Sequence, residues 1–166
     1  MELYFLRHGL AVEHGAPGYA KDADRPLLPE GIKKLRSSVK GMRTLELSFD
    51  RIYSSPYLRA KETAEIIAEG VDFKEKIIFT DTLLPGAGFK EFEKFLKEFK
   101  KEGRFLLVGH EPSMSGFISQ LVSARGDVNL EMKKGGFCRV DVADQNHIIP
   151  GILKWLLTSR QLRTLG

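Results

Sequence analysis

A chain of 166 residues is about one domain long and can bury a core without disulfide or metal staples. With 42% hydrophobic and 29% charged residues and no low-complexity tract, the composition excludes a disordered chain. The net charge of +4 favours anionic partners; the single cysteine, Cys138, excludes an internal disulfide and a cysteine-based zinc cluster; no run reaches the roughly 18 apolar residues of a membrane span.

The first run, Leu3 to Leu6, is apolar and stops at Arg7, as a buried strand of an α/β sheet does. Gly9 to Leu28 is rich in Gly, Pro, Ala and Asp without a period, and reads as a long loop, functional or mobile at that length. Pro29 suits a first helical position, and Ile32, Leu35, Val39, Met42 and Leu45 then recur at helical spacing. Arg51 to Tyr53 predicts a second strand. Ser54, Ser55 and Pro56 read as the cap and start of a helix carrying Ala60, Ala64, Ile67 and Ala68.

Ile77 to Phe79 is a third short strand, followed by a helix whose Phe89, Phe92, Phe95, Leu96 and Phe99 form a core stripe. Phe105 to Val108 predicts a fourth strand ending at Gly109 and His110, after which Pro112 and Ser113 start a helix through Phe117, Ile118, Leu121 and Val122. Phe137 to Val142 and Ile152 to Leu157 read as two late strands, a hairpin unless the second is helical, and the tail after Thr158 is short and basic. Strands alternating with helices predict an α/β three-layer sandwich: a mostly parallel central sheet flanked by helices on both faces, in one domain spanning 1–166.

In such sheets ligands bind beyond the carboxyl ends of the strands. Three segments place unusual polar residues there: Arg7, His8 and Gly9 after the first strand, Arg59 in the first turn of the helix after the second, and Gly109 with His110 after the fourth. Arginine's planar fork matches phosphoryl oxygens bidentately, so Arg7 and Arg59 suggest a phosphate clamp. A cation in a helix's first turn is disfavoured unless an anion is bound, which argues against Arg59 as a plain surface charge. An imidazole attacks phosphorus only with one ring nitrogen bare and the other held by an acceptor, an arrangement His8 flanked by Gly9 suits. His110 is then available to donate hydrogen bonds to the phosphoryl oxygens.

Leu6-Arg7-His8-Gly9 resembles the signature of the histidine phosphatase superfamily, which includes the phosphoglycerate mutases. Ser54-Ser55-Pro56 with Arg59, Ala60 and Thr63, and Val108-Gly109-His110-Glu111-Pro112, match that family's later motifs in order. The short length, Arg25-Pro26-Leu27 before Pro29-Glu30-Gly31, and Lys133-Lys134-Gly135-Gly136 resemble its SixA-type phosphohistidine phosphatases. The resemblance implies a phosphoglycerate mutase-like fold, a phosphohistidine intermediate on His8 as nucleophile, phosphate contacts from Arg7, Gly9, Arg59 and His110, and neither cofactor nor metal. It also implies a site without the large insertions that roof relatives acting on small metabolites.

The family's acid after the third strand has only Asp81 as a loose counterpart here; Glu111 and Glu13 are alternatives, and Ser113 stands where related sequences often carry Asp. A phosphohistidine substrate relaxes that requirement, because a departing imidazole needs less help than an alkoxide. The expected partner is therefore a phosphorylated protein of a phosphorelay, such as a histidine phosphotransfer protein; the alternatives are a phosphatase of small phosphorylated metabolites and a phosphoprotein-binding module without turnover. No nucleic-acid or membrane partner is expected, and a cytoplasmic monomer is. His14 and His147 are read as uninvolved, Lys21 and Arg25 as loop charges near the site, Lys33 as surface charge, and Cys138 as a buried small apolar residue.

Overall fold

The computed structural model of the chain describes residues 1–99, 102–144 and 146–166. Strands β1 (Glu2–Arg7), β2 (Arg51–Ser54), β3 (Ile78–Phe79), β4 (Arg104–Gly109), β5 (Phe137–Asp141) and β6 (Ile152–Leu157) form one sheet in the order β3-β2-β4-β1-β5-β6. β3, β2, β4 and β1 run parallel; β5 is antiparallel to both of its neighbours, β1 and β6. The late hairpin is therefore real, and β6 points the same way as β1.

Side chains alternate across β1, and each parity has its own helices to bury it. Leu3 and Phe5 face a cluster built with Phe92 of α3 (Phe89–Leu96) and Phe117, Ile118 and Leu121 of α4 (Ser113–Val122). Tyr4 and Leu6 face the other, with Leu35, Val39 and Met42 of α1 (Pro29–Thr44) and Ala60, Ala64 and Ile67 of α2 (Leu58–Gly70). Because both faces are covered, the strand reads as a continuous apolar run. No helix among the described residues is long and apolar enough to cross a membrane.

Several elements depart from the sequence reading. Pro29 does open α1, but Leu45 lies just past its end. α2 begins at Leu58, two residues after Pro56, with Tyr57 at the N-cap and no side-chain cap. Ser55 Oγ accepts the Tyr57 N–H at 3.3 Å, turning the chain without capping the helix. α3 closes at Leu96, which leaves Phe99 just past the helix yet still in the core.

The basic tail folds into α5 (Ser159–Thr164), which the sequence reading did not anticipate. A capping box starts it: the Thr158 hydroxyl accepts from the Gln161 N–H, and the Gln161 side chain accepts from the Thr158 N–H. Leu162 supplies the packing energy, buried completely in the second cluster. A Cβ at Gly41 of α1 would stand 1.9 Å from the Leu162 carbonyl oxygen, so glycine is what permits α1 and α5 to touch. Truncating Leu162 to Ala should cost about 2–5 kcal/mol of unfolding free energy, the usual range for a buried leucine. Denaturant titration checks this; a loss within experimental error would show that α5 docks without contributing to the core.

Candidate active site

The carboxyl ends of the strands are stitched together by main-chain bonds. Arg7 pairs with Gly109 at the last rung of the β1–β4 ladder, His8 N–H donates to the Gly109 carbonyl at 3.0 Å, and Ser55 N–H donates to that of Val108 at 2.9 Å. Gly135 N–H reaches the carbonyls of Arg7 and His8 at 3.2 and 3.0 Å, from a backbone at φ 70° that glycine adopts without strain. Thr63 on α2 accepts the Gly9 N–H at 3.1 Å and donates to the Arg59 carbonyl at 2.6 Å. The backbone on either side of His8 is thereby held from the sheet, from α2 and from the turn before β5.

His8 Nδ1 lies 2.8 Å from the carbonyl oxygen of Gly9, and Arg59 Nε–H points at His8 Nε2 from 3.4 Å. A carbonyl only accepts and a guanidinium N–H only donates, so the proton sits on Nδ1 and Nε2 carries the free lone pair. Burial, seconded by the charges of Arg59, Arg7 and Lys134, outweighs the Gly9 hydrogen bond and lowers the His8 pKa to about 3. The His110 ring lies 5.0 Å from the His8 ring, centre to centre, with Nε2 2.8 Å from Ser55 Oγ. Burial and the neighbouring His8 and Arg59 lower the His110 pKa to about 2. The Tyr57 and His110 rings meet in a T-shaped contact, 5.4 Å centre to centre, and the Arg59 guanidinium lies over the Tyr57 ring at 5.2 Å.

The four residues singled out at strand ends and in the first turn of α2 thus meet in one place. Arg59, only 3% exposed, also holds an anion, as a cation in a helix's first turn requires. That anion belongs to the chain: Arg59 Nη1 donates to the Asp22 carbonyl at 2.7 Å and Nη2 to its carboxylate at 2.8 Å. Arg25 and His14 contact the same carboxylate, at 2.6 and 3.0 Å. Burial raises the Asp22 pKa, but the hydrogen bonds from His14, Arg59 and Arg25 prevail and hold it well below the usual carboxylate range. Sequence reasoning missed Asp22. Its only signal was an acidic, arginine-bearing stretch, Asp22-Ala23-Asp24-Arg25, inside an otherwise aperiodic loop. In the fold that stretch is a single 3-10 turn, and an Ala11–Leu27 bridge closes the loop around it.

Arg7 donates through Nη1 to the Met132 carbonyl at 2.8 Å. Its Nε and His110 Nδ1 are the buried side-chain polar atoms left without a partner among the described residues, and both belong to this cluster. Buried polar atoms are rarely orphaned, so two within one cluster suit a ligand that supplies acceptors.

Of the three acid candidates, Glu111 lies near enough for its charge to act on Arg7, but none of the three hydrogen-bonds to the cluster. Both oxygens of Glu111 are taken by Ser115, from its N–H at 3.0 Å and its hydroxyl at 2.6 Å, so this carboxylate closes the first turn of α4. Asp81 and Glu13 are exposed, and neither side chain hydrogen-bonds to the four. Among the described residues, no group of three or more His, Cys, Asp and Glu is placed to hold a metal ion.

The family model for the histidine phosphatase superfamily (branch 1) matches residues 3–84. An uncharacterized protein of Picosynechococcus sp. is 33% identical over 138 residues, 82% of each chain. The phosphohistidine phosphatase SixA of Escherichia coli is 24% identical over 123 residues, 73% of this chain and 74% of its own. A solved structure of the protein histidine phosphatase SixA complexed with tungstate superposes with a TM-score of 0.85 at 21% identity, covering 98% of this chain and 99% of that one.

The neutral imidazoles make stability depend on pH with a definite sign. Their folded pKa values, about 3 and about 2, lie below the ordinary histidine value of about 6.5, so below that pH the unfolded chain binds protons that the folded chain does not. Stability should therefore be complete above about pH 6.5 and fall toward acid, at up to roughly 1.4 kcal/mol per pH unit for each histidine. Denaturant unfolding between pH 7 and pH 5 measures the slope, which a His8→Gln variant should reduce by about half. A wild-type stability flat across that range would mean that these rings are protonated in the fold.

Proposed function

The chain belongs to the histidine phosphatase superfamily and is a phosphatase; from that premise we propose that it removes phosphate from histidine on a protein, through a phosphohistidine intermediate at His8. The observation carrying this reading is the His8 ring, tied at Nδ1 to Gly9 and bare at Nε2 beside the Arg59 guanidinium. A nucleophile so held needs no base to deprotonate it, because burial and cationic neighbours already keep it neutral.

The reaction proceeds in two steps. Nε2 attacks phosphorus in line, the P–N bond to His8 forms, and the bond to the leaving nitrogen breaks. Charge on the three equatorial oxygens is then met by the guanidiniums of Arg7 and Arg59 and by His110, whose Nδ1–H donates when Ser55 donates its hydroxyl proton to Nε2. In the second step water attacks the phosphorus, the P–Nε2 bond breaks, and inorganic phosphate leaves. Asp22 acts through Arg59: its carbonyl and carboxylate accept from Nη1 and Nη2, which leaves Nε pointing at His8 Nε2.

The leaving group bears on the substrate. An alkoxide must be protonated as it departs, whereas an imidazole, with an ordinary pKa of about 6.5, can take its proton from solvent near neutral pH. Glu111 bound to Ser115, and Asp81 and Glu13 exposed and unconnected to the four, support a substrate that needs no strong internal acid. The similarity to the SixA phosphohistidine phosphatase is consistent with that choice.

Incubation with a radiolabelled phosphohistidine protein should leave a transient, acid-labile label on the chain, absent from His8→Ala, whose turnover falls by roughly a thousandfold or more. Wild-type turnover in that variant overturns the His8 mechanism. A phosphohistidine protein set against sugar and glycerate phosphates tests the substrate. Higher kcat/KM on the small esters would install the metabolite phosphatase instead, and binding without any label would make the chain a phosphoprotein-binding module.

A further inference from the structure

Two features of the sequence remain outside this chemistry: Lys133-Lys134 before Gly135, and the basic tail that became α5. The fold brings them together. β6 runs parallel to β1 and β5 runs against both, so the start of α5 and the turn before β5 lie at the same end of the sheet as His8. Between them and the first turns of α1 runs a cleft of about 200 Å³, lined by Lys34, Lys133, Lys134, Arg160 and Arg163 and by no carboxylate.

We propose that this basic cleft is the docking surface for the substrate protein, and that its occupant is an acidic face beside the phosphohistidine. The inference rests on the reading of the chain as a protein phosphohistidine phosphatase and extends it from the reacting group to the protein that carries it.

The cleft adjoins the site directly. Gly9 lines it immediately after His8, and Gly135 lines it while donating its N–H to the carbonyls of Arg7 and His8. The charge of Lys134 reaches far enough to help keep His8 neutral. Glu30 pairs with Lys34 at 2.5 Å and Glu131 with Lys133 at 3.8 Å, but Lys134, Arg160 and Arg163 have no ion-pair partner among the described residues. A positive field therefore survives on one side of the nucleophile.

Its construction selects the occupant. A pocket for one small anion presents preorganised buried donors, whereas these lysines and Arg160 are half-buried or exposed, and the hydroxyls at the rim are engaged, Thr158 by Gln161 and Ser159 by Ser38. Mobile ammonium groups around an open cleft suit dispersed carboxylates and speed encounter with an oppositely charged surface. Nucleic acid would call for aromatic stacking, and no aromatic residue lines the cleft.

Lys133→Glu/Arg160→Glu tests the proposal; both side chains are exposed and neither belongs to the reacting cluster. Turnover is compared on a phosphorylated histidine phosphotransfer protein and on free phosphohistidine, which share a leaving group and differ in the body behind it. For the phosphoprotein, KM should rise about five- to tenfold at low salt with kcat unchanged, and the difference should shrink as salt screens it. Free phosphohistidine should be hydrolysed within about twofold of wild type. Poly-glutamate should inhibit wild-type turnover of the phosphoprotein and lose potency against the variant. Unchanged KM on the phosphoprotein, equal losses on both substrates, or inhibition by an oligonucleotide but not by poly-glutamate would each overturn the docking surface while leaving the chemistry at His8 intact. Failure of the wild type to hydrolyse either phosphohistidine substrate would instead defeat the proposed function, and the docking inference with it.

Discussion

One hydrogen bond organises the site: His8 Nδ1–H to the carbonyl of the next residue, Gly9, at 2.8 Å. It fixes both the tautomer and the rotation of the ring, and so decides which nitrogen is bare and where it points. A contact between adjacent residues holds only if the backbone between them cannot relax. That backbone is clamped by the Gly109 carbonyl, by Thr63 and by the Gly135 N–H, which come from β4, α2 and the turn before β5. The sheet order, with β1 between β4 and β5, is therefore what converts a local motif into an oriented nucleophile.

The charge pattern follows from the same enclosure. Two imidazoles share a buried space with two guanidiniums, and burial together with like charge keeps both rings neutral. Burial lowers the pKa of both arginines without discharging so basic a group, and carboxylates oppose the shift: Asp22 bound to Arg59, and the charges of Glu111 and Glu131 acting on Arg7. Arg59 is thereby paired with an anion, while Arg7 Nε and His110 Nδ1 keep their demand for an acceptor. A tetrahedral dianion fills that demand without displacing a proton from any of the four side chains.

What was legible in the sequence was whatever depends on local order. Strand ends, the succession of strand and helix, and arginine and histidine at those ends are written in short windows, and the fold assembles them as expected. The parts that escaped are those in which one residue serves a distant partner. Ser55 reads as a helix cap but places its hydroxyl against His110 and the Tyr57 N–H, and α2 begins only at Leu58. Asp22 sits in a loop without period, and its meaning depends on Arg59 lying 37 positions away in the chain. The capping box of α5 was readable in Thr158 and Gln161, yet six residues rich in charge carry too little periodicity to announce a helix whose stability comes from Leu162 against α1.

The loop from Gly9 to Leu28 joins these threads. A segment of that length inside a compact fold pays an ordering cost that its few apolar residues, Ala11 and Leu27 among them, meet only in part. Most of its fixed structure instead runs through polar contacts: Arg25 to the Val12 carbonyl, Asp22 to Arg25 and Arg59, and Leu27 N–H to Glu62. The guanidinium proposed to receive phosphate is thus also the main anchor of the loop that covers it. Order in the loop and the aim of Arg59 are then one coupled property, and any change that loosens Asp22 is felt at the nucleophile through the 3.4 Å contact between Arg59 Nε and His8 Nε2.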